Sequence, residues 1–288
     1  MNRGIVGFLL CSLLLQGCGV QLAYNNIDRL VRWQLSDYLD MSVEQREFYD
    51  QQMAVLLYWH RTTQLPEYAD YLQKMSSDLN GTISEAEIRH LYDTMVIWGD
   101  RAEKMAKPLI VGLMMSMSDE QVAALPSGFK KTNNDLLEDE EGKSDEEARA
   151  AWVKGFSGVS KRLIGRLNDG QVAYVEAQSK RYLPERKMWV DYRLRWQDDF
   201  FALLDHRHDQ ELFEAGFDDL VRLRETYWSD EYKAVSDSNE ALTLTTMAGL
   251  INLLTPRQRE RMQDRLDDLQ DDFRDLIDQA PKAPPPST

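Results

Sequence analysis

Trp189-Val-Asp-Tyr192-Arg-Leu-Arg-Trp196-Gln-Asp-Asp-Phe200-Phe-Ala-Leu203-Leu204 decides the fold class. Its large apolar residues, Trp189, Tyr192, Trp196, Phe200, Leu203 and Leu204, recur at intervals of three and four. With about 3.6 residues per turn, that spacing lays one apolar stripe along a helix. Tyr49, Met53, Leu56, Leu57 and His60 form the same stripe earlier in the chain. Nowhere does a stretch of alternating β-branched residues occur, and no Asn-Gly turn separates two such runs. The pattern predicts an all-α protein, a helical bundle or elongated helical array of about ten helices from Asn25 onward.

The helix starts are spelled out. Ser42-Val-Glu-Gln45, Ser84-Glu-Ala-Glu87, Ser118-Asp-Glu-Gln121, Ser144-Asp-Glu-Glu147 and Thr255-Pro-Arg-Gln258 fit the capping box. In that motif the hydroxyl accepts from the N3 amide while the Glu or Gln accepts from the cap's own N–H. Asn168-Asp-Gly-Gln171 is a variant with Asn as the cap. Pro256 falls at N1, where no N–H is needed. Ile83 and Ile88 are placed to form a hydrophobic staple across the Ser84 cap.

An internal repeat shows through the caps. Gly112 lies six residues before Ser118, as Gly249 lies six before Thr255, and Phe48 and Tyr174 stand at equal offsets from Gln45 and Gln171. The expected organisation is a signal over 1–17, a short tether over 18–24 and two similar helical halves over 25–138 and 145–280. An acidic connection over 139–144 links the halves, and a Pro-rich tail over 281–288, with no core-forming residue, is expected to be disordered.

The formal charge of −15 opposes phosphate backbones, so no nucleic-acid partner is expected, and it also opposes anionic lipid surfaces. The two cysteines are Cys11 and Cys18. Removal of the signal takes the first, and acylation of the second leaves no thiol for a disulfide, a nucleophile or zinc.

That expectation rests on the amino terminus. Met1-Asn-Arg3, the apolar run from Ile5 to Leu15 and the closing Leu15-Gln16-Gly17-Cys18 resemble a bacterial lipoprotein signal, whose cysteine is acylated before cleavage. At about eleven residues the run is too short to span a bilayer. The resemblance implies attachment through an acylated Cys18, and Gly19 in place of Asp implies the outer membrane, with the body facing the periplasm. Ala23-Tyr-Asn-Asn-Ile-Asp28-Arg-Leu-Val-Arg-Trp33, then Asp37-Tyr-Leu-Asp40 and Ser42, resemble an uncharacterised family of Gram-negative lipoproteins. That likeness implies an all-helical body and carries no activity. Leu254-Thr-Pro-Arg-Gln258, Met117-Ser-Asp-Glu-Gln121 and Met41-Ser-Val-Glu-Gln45 are locally similar to the Leu-Thr-x-x-Gln motif of periplasmic stress chaperones, which hold unfolding clients without ATP.

Catalytic patterns are sparse. The sequence holds no G-x-S-x-G, no phosphate-cradling glycine loop and no H-E-x-x-H. His206 and His208 are the best metal candidates, but at i and i+2 they point to different helix faces, so no metal and no cofactor is expected. Asp37, Asp40 and Glu44 are the nearest to a hydrolytic carboxylate cluster, with Asp198 and Asp199 a second acidic pair. Met114, Met115 and Met117 are candidate partner-binding residues, because Met side chains repack around nonpolar clients. The leading expectation is a non-enzymatic scaffold or holdase that binds another envelope protein. The alternative is an envelope hydrolase acting on glycan or lipid.

Overall fold

A computed structural model of the chain describes residues 19–138 and 142–285, and Cys18 lies outside them. The helices are α1 Gly19–Asn25, α2 Ile27–Leu35, α3 Val43–Trp59, α4 Leu65–Asp78, α5 Glu85–Met115 and α6 Asp119–Glu138. They continue as α7 Asp145–Ile164, α8 Asp169–Ser179, α9 Arg186–Leu204, α10 Gln210–Arg222, α11 Asp230–Asn252 and α12 Pro256–Asp278. A π-turn, His60–Gln64, joins α3 to α4, and a 3-10 turn, Arg224–Tyr227, precedes α11. No strand occurs among the described residues; the protein is an all-α, elongated helical array.

The caps form as their sequences dictate. Ser42, Ser84, Ser144, Asn168 and Thr255 accept from the N3 amide, and each N3 side chain accepts from the cap N–H in return. Ser118 and Gln121 make the same two bonds at the head of α6. Asp209 and Ser229 cap α10 and α11 without a Glu or Gln three residues on, so nothing in the box pattern announced them. Ile83 and Ile88 are buried in one cluster, which is the staple.

Boxes ending in Gln behave differently from those ending in Glu. Glu87 and Glu147 face solvent. The four glutamines meet in two pairs. Gln45 Nε2 donates to Gln121 Oε1 (3.0 Å) and Gln121 Nε2 to Gln45 Oε1 (2.9 Å). Gln171 and Gln258 exchange the same bonds at 2.8 and 2.9 Å. The remaining amide protons go to backbone carbonyls two residues ahead of the partner's cap: Ser116 and Asp40 in the first pair, Leu253 and Arg166 in the second. Each Gln oxygen also accepts from its own cap N–H. Both protons and both lone pairs of every amide are therefore used. A carboxylate in any of these places has no proton to give, which is why the inward boxes need Gln.

The apolar surroundings repeat as well. Met41, Met117, Leu167 and Leu254, each one residue before a cap, are all buried. Gly112 lets the Phe48 ring press onto α5, and Gly249 admits the Tyr174 hydroxyl against α11; a Cβ at either glycine would collide with the ring it faces. The start of α3 is thus clasped to the α5–α6 turn in the way that the start of α8 is clasped to the α11–α12 turn.

The two halves share a core. Leu65 and Ala69 of α4 pack with Phe273 and Leu276 of α12, and Leu79 joins Leu250, Leu254, Met262 and Leu266 in the cluster around the second clasp. Buried Gln270 of α12 donates to the Ala69 carbonyl (2.8 Å). Each large apolar side chain so buried contributes about 1.5–3 kcal/mol.

The amino-terminal segment departs from expectation. Residues 19–24 of the expected tether (18–24) lie in helix α1, Gly19–Asn25. Val20 and Tyr24, one turn apart, are buried with Phe273 and Leu276, and Gln21 Nε2 donates to Asp272 (2.8 Å) and Asp275 (2.9 Å). Those tertiary bonds order a helix too short to stand alone. Residues 139–141 of the acidic connection lie outside the described residues, and 281–285 follow α12 without helix.

Candidate functional site

Helix α9, opened by the stripe that fixed the fold class, carries polar chemistry at both ends. Near its start Trp189 is buried between two guanidiniums, with Arg186 Cζ 5.1 Å and Arg193 Cζ 5.6 Å from its ring centroid. Arg193 Nε donates to Asn133 Oδ1 (2.9 Å), and Asn133 Nδ2 donates to Gln197 Oε1 (2.7 Å), tying α9 to α6. Burial raises the pKa of the Glu185 carboxyl, opposed by hydrogen bonds with Asn239 and Ser236. Glu185 Oε2, Arg186 Nε and Trp189 Nε1 are buried without a hydrogen-bond partner among the described residues.

The other end of α9 lines an open groove of about 350 Å³ against α10 and the 3-10 turn. Ala202, Leu203, Leu220 and Leu223 supply apolar surface, while Asp199, His206, Asp219, Thr226 and Tyr227 supply polar groups. Gly216 allows the close approach of α9, since a Cβ there would strike Leu203. Tyr227 Oη donates to Asp199 Oδ2 (2.6 Å). Desolvation and that carboxylate push the phenol up to about 12, so it remains a hydrogen-bond donor at neutral pH.

Between the two histidines of this region lies Arg207, only 4% exposed. It donates to the carbonyls of Met117 (2.9 Å) and Leu204 (3.1 Å) and pairs with Asp119. His206 and His208 are exposed, and only His206 lines the groove. Among the described residues no three of His, Cys, Asp and Glu are grouped to hold a metal ion.

Of the acids singled out in the sequence only Asp199 lines the groove, and none of them is buried. Asp37, Asp40, Glu44, Asp198 and Asp199 are all exposed. The Ser42 hydroxyl donates to the Glu44 carboxylate (2.7 Å) and, with a backbone bond, holds its pKa below the usual value. Met117 is 4% exposed inside the largest core cluster, and Met114 and Met115 are half-buried against that cluster. Met117 therefore serves packing, while Met114 and Met115 keep part of their surface exposed. Sequence reasoning missed Arg207 and the Asn133–Gln197 bond because polar residues in a helical pattern read as solvated.

His60 opens the π-turn beneath α1. Its Nδ1 lies 2.8 Å from Tyr24 Oη, and its ring packs between those of Tyr24 and Tyr68. Desolvation, helped by the Arg61 charge, pushes its pKa down to about 4. The unfolded chain takes up this proton first, so the contribution is complete above about pH 6.5 and is lost as pH falls toward about 4. Replacing His60 with Gln is expected to remove roughly 1–2 kcal/mol of the stability difference between about pH 7 and about pH 4.5. Urea unfolding at both pH values measures it; identical slopes in the two proteins would contradict it. Glu44, Glu87, Glu120 and Glu147, whose pKa values are lowered by cap hydrogen bonds, contribute above the ordinary carboxylate value and lose that contribution as pH falls from it through their lowered values.

Fold and site together define an all-helical protein of clasped helix ends with a shallow groove at the α9–α10 corner. The chain belongs to the family of unknown function DUF6279, whose model matches residues 37–233. That span takes in the Gln45–Gln121 clasp and the groove, and it stops before Gln258. No curated protein and no solved structure matches the chain.

Proposed function

We propose that this protein is an outer-membrane lipoprotein, held through an acylated Cys18 on the periplasmic side, which uses the α9–α10 groove to bind another envelope protein. The observation that carries the binding role is the groove's make-up. Leucine surface beside Asp199 and Asp219 suits an apolar side chain of a partner segment with a basic neighbour. Its phenol is committed to a carboxylate as a donor, which suits recognition better than proton transfer. The hydrolytic alternative finds less support, because Glu44 is held ionised in solvent, whereas a general acid needs a raised pKa.

A photo-crosslinking residue at position 202, compared with one at exposed Glu260 on α12, tests the proposal in intact cells. The expected result is a discrete covalent product from position 202 that is absent from position 260. No product from 202, or the same products from both, overturns the groove as the binding site.

A further inference from the structure

We infer that the outer face of α1 and α2 lies flat on the lipid surface, so that the protein meets its membrane with a helical face as well as with acyl chains. The inference rests on the anchor reading above. Helix α1 opens the described residues at Gly19, next in sequence to Cys18, so acyl chains on Cys18 would hold this segment close to the headgroups. The inner side of this segment is fixed. Val20 and Tyr24 are buried against α12, and Val31 and Leu35 pack on the largest core cluster. The side left outside carries three large apolar side chains, Leu22 (68% exposed), Leu30 (43%) and Trp33 (69%), among exposed Asn25, Arg29, Gln34 and Ser36. Leu30 and Trp33, three residues apart, share one face of α2.

Charge points the same way. The chain carries −15 overall, yet Gly19–Ser36 holds only Asp28 against Arg29 and Arg32, and exposed Arg29 stands beside Leu30. This segment escapes the repulsion that keeps the acidic body away from anionic headgroups. Tryptophan, leucine and arginine on one face, continuous with a lipid attachment point, match the chemistry of an interfacial helix. No described helix is long and apolar enough to cross a membrane, so the contact is with the surface.

The test uses the full chain expressed in cells, with Trp33→Cys carrying an environment-sensitive fluorophore and Glu260→Cys as the control. Acylation of Cys18 leaves the introduced cysteine as the single free thiol. The purified protein is placed in phosphatidylethanolamine–phosphatidylglycerol vesicles containing lipids spin-labelled near the headgroup. Quenching severalfold greater at position 33 than at position 260, with a blue-shifted emission, is expected. Mass spectrometry of the same sample separates the two ways to fail. An unmodified Cys18 refutes the anchor and the face together. An acylated Cys18 with equal quenching at 33 and 260 overturns the face alone. A blue shift at 33 without lipid quenching also overturns it, in favour of a protein covering that face.

Discussion

Gln45→Glu is expected to destabilise the protein by about 4 kcal/mol, because it places a carboxylate inside the first clasp. Gln45 is buried, and its Nε2 donates to the Ser116 carbonyl and to Gln121 Oε1. Glu turns both bonds into oxygen facing oxygen. It retains the acceptor for the Ser42 N–H, so the cap survives and the loss isolates the pair. In a domain of this size the change corresponds to a fall in Tm of roughly 10 °C. A buried carboxylate escapes by protonation, so the penalty should shrink as pH falls. Glu87→Gln, in an outward box, is the control and should change stability by less than about 0.5 kcal/mol. Urea titration measures both; a loss below about 1 kcal/mol in Gln45→Glu contradicts the paired amide as a structural clasp.

Gly112→Val is expected to cost about 3 kcal/mol, although replacing a mid-helix glycine ordinarily helps a helix by up to about 1 kcal/mol. The new Cβ would occupy space held by the Phe48 ring. Combining it with Phe48→Ala should cost less than the two single changes summed, since the ring removed is the one that collides. The second clasp allows a finer version. A Cβ on Gly249 would strike the Tyr174 hydroxyl, so Tyr174→Phe should recover part of the loss caused by Gly249→Ala. Additive losses at either clasp would show that the glycines are not there for the close approach of α3 and α8.

These two effects also mark where the sequence was readable. Capping is local chemistry, so Ser42, Ser84, Asn168 and Thr255 were legible from three neighbouring residues. The repeat was visible in the glycines and rings at equal offsets, but its purpose was not. That Gln45 faces Gln121 across the chain is a tertiary fact, and a capping box accounts for the same residues without a partner. The tether was misjudged for a related reason. GVQLAYN is too short to propagate helix, and it is ordered by tertiary contacts: the bonds from Gln21 to α12, the Tyr24–His60 bond and the burial of Val20 and Tyr24. Arg207 was hidden because a charged residue between two histidines reads as solvated, whereas the carbonyls of Met117 and Leu204 draw it inside. The methionines were read correctly as apolar; whether Met117 lay inside or outside was beyond periodicity.

Everything proposed about location turns on Cys18. Intact-mass and peptide mass spectrometry of the protein taken from cell membranes is the direct measurement. The expected product begins at Cys18 and carries acyl chains, and Cys18→Ala leaves the chain unprocessed and unacylated. A membrane-extracted chain that retains Met1–Gly17, or that begins at an unmodified Cys18, would contradict the lipid anchor.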